Sequence, residues 1–334
     1  MIENSEPGLW RYAAALPPLG KSQRLRLGEV MTPLVASELY GVPVYLKLDY
    51  LLPTGSYKDR GASVLMSVLR KNGIKQVMDD SSGNAGAAAA AYAAAAGIEC
   101  TIYTPAKNSP AKLAQIQAYG ATLVAIEGSR QMVADAVLNK AETAFYASHV
   151  WHPLYPAGVA TLGFEIWEQL GHRLPAAVAV PAGQGSLVLG LARAFEALSK
   201  GRHSVCQPAI VAVQTKAFPA LVNSFESAPP RSAATPDVGT IAEGIACVKP
   251  LREAAVLAAL RRGQGRAIAV SESEIKDALL TLAKAGFYVE PTSAVAAAGF
   301  NRAKLDPASG PIVIVLTGSG MKATERISDL IRIR

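Results

Sequence analysis

Apolar and polar residues follow two recurring rhythms along this chain. Short continuous apolar runs bounded by turn residues alternate with longer stretches whose apolar residues recur three and four apart. The first rhythm predicts strands at 76–79, 100–103 and 121–126, then at 177–180, 210–214 and 312–316. The second predicts helices at 85–96, 110–119, 130–141, 161–170 and 187–198. The runs 210–214 and 312–316 show no polar alternation, as expected of strands buried on both faces. Strands and helices in this order imply an α/β chain with mostly parallel sheets flanked by helices. Ligands of such folds sit at the carboxyl ends of strands, where turns lead into helices. No internal repeat and no Ser/Gly-rich linker interrupts the pattern.

Four turns stand out. The stretch Pro53-Thr54-Gly55-Ser56-Tyr57-Lys58-Asp59-Arg60-Gly61 presents one lysine at the start of an apolar-periodic helix. A helix N-terminus disfavours the ammonium and favours the neutral amine that condenses with a carbonyl. Asp59 in the first helical turn is accounted for by the same dipole. Taken alone, the segment is equally an ordinary lysine in a capped turn.

Ser81-Ser82-Gly83-Asn84-Ala85-Gly86 follows a predicted strand and opens the alanine-rich helix. Successive N–H groups there suit a carboxylate, and Asn84 offers a side-chain donor. Simple capping by Ser and Asn explains the same residues. Pro181-Ala182-Gly183-Gln184-Gly185-Ser186-Leu187 is a third strand–turn–helix junction, small enough for a single phosphate group. It is neither a Walker A loop nor a dinucleotide fingerprint, because no Lys-Ser/Thr pair follows and Val188 stands where a third glycine would be. Thr317-Gly318-Ser319-Gly320 closes the last predicted strand and offers a hydroxyl or a plain turn.

Composition narrows the field. Half of the 334 residues are hydrophobic and 18% are charged, which suits a well-buried core. The longest low-polarity run, 85–97, is too short for a membrane span, and no signal-peptide pattern opens the chain. The cytoplasm is the expected location. Cys100, Cys206 and Cys247 form no C-x-x-C pair, and the four histidines show no H-E-x-x-H spacing, so no metal is expected. The net charge of +7 is scattered without aromatic interleaving, which points away from nucleic acid.

The order PTGSYKDRG, SSGNAG, GQGSL and LTGSG resembles the tryptophan-synthase-β (fold type II) family of pyridoxal-phosphate (PLP) enzymes, closest to threonine synthases and to threonine and serine dehydratases. The likeness runs from Trp10-Arg11-Tyr12 and Val30-Met31-Thr32-Pro33-Leu34 to the Thr317 turn. It implies two domains: a large PLP-binding one at 1–60 and 149–334, and a small mobile one at 61–148 that closes over the substrate. It also implies that Lys58 carries the cofactor and moves protons, while Asn84 bonds its 3-oxygen. Gly183, Gln184, Gly185, Ser186 and Leu187 would bind the phosphate, and Thr317 would face the ring nitrogen. Ser81, Ser82, Gly83, Asn84 and Ala85 would take the carboxylate of a small amino-acid substrate. Glu243, in Ala242-Glu243-Gly244-Ile245, would be a polar substrate contact or solvated.

The implied chemistry is elimination or replacement by a homodimeric lyase, with O-phosphohomoserine to threonine as the leading expectation. One departure matters. Threonine synthases carry an arginine and a lysine after an Asn-Pro pair, to grip the substrate phosphate. Here the segment reads His152-Pro153-Leu154-Tyr155-Pro156-Ala157-Gly158-Val159-Ala160-Thr161, without either. Dehydratase, ammonia-lyase and β-replacement chemistry on a serine-like substrate therefore stand beside it, with a PLP-binding protein lacking turnover behind them.

Overall fold

The computed structural model describes residues 2–81, 83–106, 110–128, 130–140, 144–200, 207–226 and 239–332. Its strands are β1 (Leu34–Leu39), β2 (Val42–Lys47), β3 (Gln76–Asp79), β4 (Glu99–Pro105), β5 (Thr122–Ile126), β6 (Phe145–Tyr146), β7 (Ala177–Pro181), β8 (Ala209–Thr215), β9 (Arg266–Val270) and β10 (Ile312–Val315). They make a six-stranded sheet ordered β1-β2-β10-β7-β8-β9 and a four-stranded sheet ordered β5-β4-β3-β6. Every neighbouring pair is parallel except β1 with β2. The α/β expectation holds: fully buried β7 and β10 are the continuous apolar runs of the sequence.

Packing divides the chain into two compact units, 1–31 with 52–159 and 32–51 with 160–334. These limits differ from the expected 60/61 and 148/149. A cut at 60/61 would split the helix Lys58–Lys71. The N-terminal segment belongs with that helix because Leu9, Trp10, Leu16 and Leu19 pack around Val64. The Leu25 N–H donates to Ser67 Oγ at 2.9 Å, and Ser63 Oγ donates to the Leu25 carbonyl at 3.1 Å. The four-stranded sheet lies in this unit. The six-stranded sheet lies in the other, where Val44, Leu46, Val211, Val213 and Ile314 share one core with the helix Pro291–Ala303.

Helices Asn84–Ala96, Pro110–Ala118, Thr161–Gln169 and Ser186–Ser199 agree with the sequence pattern within a residue. The helix expected at 130–141 runs Arg130–Leu138, and Ala141 lies outside the described residues. The antiparallel β1–β2 hairpin was not marked by the pattern. Its turn residues Tyr40 and Gly41 take φ of 55° and 75°, a geometry usually announced by Asn-Gly. Among the described residues no helix is long and apolar enough to cross a membrane.

Candidate active site

In the first unit, Lys58 is the first residue of its helix. The preceding turn is clasped by Asp59, whose carboxylate accepts the Thr54 N–H at 2.7 Å and the Thr54 hydroxyl. Asp59 thus does more than complement a dipole: it fixes the loop that presents the lysine. The Lys58 ammonium lies 5.0 Å from the centre of the Tyr57 ring and 5.8 Å from that of Tyr155. Tyr155 also donates its hydroxyl to the Lys58 carbonyl at 2.9 Å. Gly61 allows this approach, because a Cβ there would strike the Tyr155 ring. The Ser56 hydroxyl, two residues before the lysine, is buried with no hydrogen-bond partner among the described residues.

Behind Tyr155 lies an acidic group that the motif reading missed. His149 meets the Tyr155 ring edge-on at 6.0 Å, and its Nδ1 is 3.5 Å from Asp79 Oδ2. Asp79 accepts the N–H of Asp80 at 2.9 Å, and Asp80 accepts the Tyr146 hydroxyl at 3.0 Å. Burial pushes the Tyr155 phenol well above its ordinary range, and Tyr57, Asp79 and Asp59 add to it. Burial and then Asp79 likewise push the Cys100 thiol up to about 12. Ligand atoms of Asp79, Asp80 and His149 lie within 4.8 Å of one another. The adjacent Asp79-Asp80 pair at the end of a predicted strand was the available signal.

Asn84 opens the buried alanine-rich helix, with Gly83 as its N-cap and Ala85 buried behind it. Ser81 is buried at the end of β3, and Ser82 lies outside the described residues.

In the second unit, β7 runs into a turn and then the helix Ser186–Ser199. Gly185 caps that helix with φ of 85° and ψ of 11°, a left-handed conformation that glycine adopts without strain. Gly183 packs against the backbone of Ile245. The Gln184 side chain accepts the Leu251 N–H at 3.0 Å. Ser186 and Leu187 are buried in the first helical turn. Glu243 is exposed, and its carboxylate pairs with Arg326.

Thr317 follows β10 and is 1% exposed. The strand that carries it is pinned by a buried ion pair. Lys47 Nζ reaches Glu165 at 2.7 Å, Gln169 Oε1 at 2.8 Å and the Thr32 carbonyl at 2.6 Å, which uses all three of its protons. The Lys47 carbonyl then accepts the Leu316 N–H at 2.9 Å, one residue before Thr317.

Each unit by itself holds parts of a kind that fits PLP. In the first, a lysine at a helix start can take an aldehyde, beside a buried hydroxyl with no partner among the described residues. In the second, a glycine turn at a helix start is of a kind that can take a phosphate. PLP, when bound, supplies the electron sink for chemistry at an amino-acid α-carbon.

The fold and these turns define a fold type II PLP enzyme. Residues 25–318 match the family described as pyridoxal-phosphate dependent enzyme, and the chain belongs to it. It is 31% identical to a threonine synthase of Methanocaldococcus jannaschii over 96% of this chain and 82% of that protein. It is 32% identical to a threonine synthase of Bacillus sp. (strain ULM1), covering 94% and 89%. The crystal structure of a T.th. threonine deaminase superposes with a TM-score of 0.71 at 30% identity, covering 86% of this chain and 92% of that one. The protein is therefore a PLP-dependent lyase.

Proposed function

We propose that Lys58 holds the cofactor and shuttles protons at the substrate α-carbon, with threonine synthase chemistry as the leading reaction: O-phosphohomoserine and water give threonine and phosphate. The observation that carries the assignment is Lys58 itself, fixed at a helix start by Asp59 and flanked by Tyr57 and Tyr155. In this reading Asn84 bonds the cofactor's 3-oxygen and the turn 183–187 holds its phosphate. Thr317 faces the ring nitrogen, and residues 81–85 receive the substrate carboxylate. The similarity to threonine synthases over nearly the whole chain supports it.

A second reading is favoured by one observation. Tyr155, in the segment after Pro153, sets an aromatic ring beside the Lys58 ammonium, and the residues behind it are His149 and Asp79. A phosphate ester calls for cations, whereas a neutral hydroxyl does not. This favours a serine or threonine dehydratase, releasing a keto acid and ammonia.

The test has two stages. Purified protein should show a visible band at ~410–430 nm that borohydride abolishes, as a lysine–carbonyl linkage requires. A substrate panel read by mass spectrometry then separates the reactions. Threonine plus phosphate from O-phosphohomoserine supports the first, and keto acid plus ammonia from serine or threonine supports the second. The absence of the band would overturn the role of Lys58. We further propose a cytoplasmic homodimer: twofold dimers are the commonest assembly, and the three scattered cysteines of the sequence show no disulfide-framework spacing.

A further inference from the structure

The Thr317 turn is held by one side chain that no motif singled out. Ser293, the third residue of the helix Pro291–Ala303, is fully buried. Its Oγ accepts the N–H of Thr317 at 2.9 Å and that of Gly318 at 2.7 Å. The same atom lies 3.0 Å from Thr317 Oγ1 and 3.1 Å from the Gly318 carbonyl oxygen.

A hydroxyl has two lone pairs and one proton. Two N–H donors occupy both lone pairs of Ser293, so only its proton remains to give. It can donate to Thr317 Oγ1 or to the Gly318 carbonyl, but it cannot accept from Thr317. Ser293 is the one hydrogen-bond partner of Thr317 Oγ1 among the described residues. The Thr317 proton must therefore point elsewhere. Nor can the turn rotate to escape this, because the Gly318 carbonyl also accepts the Glu290 N–H at 3.0 Å.

We propose that Ser293 is a positioning residue: with its own lone pairs taken by the two N–H groups of the turn, it orients the Thr317 hydroxyl as a hydrogen-bond donor to its ligand. The inference rests on the reading that Thr317 faces the cofactor ring. A donor aimed at a protonated nitrogen would oppose two protons across one short contact, whereas a lone pair completes the chain from Ser293 through Thr317 to the ligand.

Binding of cofactor analogues tests this without turnover. The full chain, stripped of cofactor, is titrated by fluorescence with PLP and with an analogue whose ring nitrogen is replaced by C–H. The wild-type protein should prefer PLP by roughly three- to tenfold, the worth of one neutral hydrogen bond. Thr317→Val should abolish that preference, and Ser293→Ala should shrink it, because a Thr317 freed from Ser293 can turn its proton away. Thr317→Ser should retain it.

The failures are distinguishable. Protein that binds neither compound and shows no visible band sinks the cofactor reading. A preference that survives Thr317→Val overturns the placement of Thr317. A preference lost in Thr317→Val but undiminished in Ser293→Ala overturns the role of Ser293. If Ser293→Ala does not fold, the wild-type and Thr317→Val titrations still decide: equal affinity of the wild-type protein for both compounds overturns the donor assignment.

Discussion

The Tyr155 hydroxyl donates to the Lys58 carbonyl at 2.9 Å while its ring flanks the ammonium of the same residue. One side chain thus holds both ends of the lysine, its backbone and the space its amine occupies. Tyr155→Phe keeps the ring and removes the hydrogen bond. It is expected to lower stability in urea by about 0.5–1.5 kcal/mol while retaining the visible band. Loss of the band in a folded Phe variant would show that the hydroxyl does more than hold the backbone.

Lys58 itself should be separable from stability. Its side chain is partly buried and makes no ion pair with a described residue. Lys58→Ala is expected to keep the thermal midpoint within a few degrees, lose the borohydride-sensitive band, and reduce turnover on the order of 10²–10⁴-fold. Full activity in this variant would reassign the chemistry.

Gly61 is the residue that admits Tyr155. A methyl group there must displace the ring, and Tyr155 is fully enclosed. Gly61→Ala is therefore expected to destabilise the protein by about 1–3 kcal/mol despite the better helix propensity of alanine. A urea midpoint at or above wild type would contradict the close packing.

Much of this was legible beforehand because the signals are local. The buried strands β7 and β10 show as uninterrupted apolar runs with the turns around Gly185 and Thr317 next to them in sequence, the Asn84 turn follows β3, and the Lys58 turn is one contiguous segment. What escaped depends on residues far apart in the chain. Nothing near Ser293 announces that it supports a turn 24 residues later. The segment after Pro153 reads only as lacking a basic pair until its Tyr155 is seen against Lys58, 97 residues away. Nothing around Glu243 announces its pairing with Arg326, 83 residues off. The limits of the two units were hidden for the same reason, since residues 9–25 join the first unit through side chains that reach Val64 and Ser67.

The buried Lys47–Glu165 pair makes a prediction in which two changes are milder than one. All three Lys47 protons are satisfied, so removing the lysine leaves a carboxylate of 1% exposure without its buried counter-charge. Lys47→Met is expected to cost about 3–5 kcal/mol, and adding Glu165→Leu should recover most of it. Denaturant titration of the two variants is sufficient. A double variant no better than the single would mean that the loss lies in the hydrogen bonds to Thr32 and Gln169 rather than in the charge.

The buried tyrosines set the alkaline limit of the fold. Burial raises the phenols of Tyr92, Tyr146 and Tyr155 above the ordinary range, and nearby carboxylates or phenols push in the same direction. The unfolded chain releases these protons near pH ~10, before the folded chain does. Their contribution is therefore complete below about pH 10 and is lost as pH rises towards the folded-state values. Each such group steepens the decline by up to about 1.4 kcal/mol per pH unit. The Cys100 thiol, raised to about 12, acts in the same sense from its lower ordinary value, so the informative comparison is between variants. Urea midpoints of wild type and Tyr155→Phe, followed from pH 9 to ~11.5, should diverge in slope above pH ~10, with the variant falling less steeply. Parallel curves would mean that Tyr155 titrates alike in the folded and unfolded chain, which its burial against Tyr57 and Asp79 does not allow.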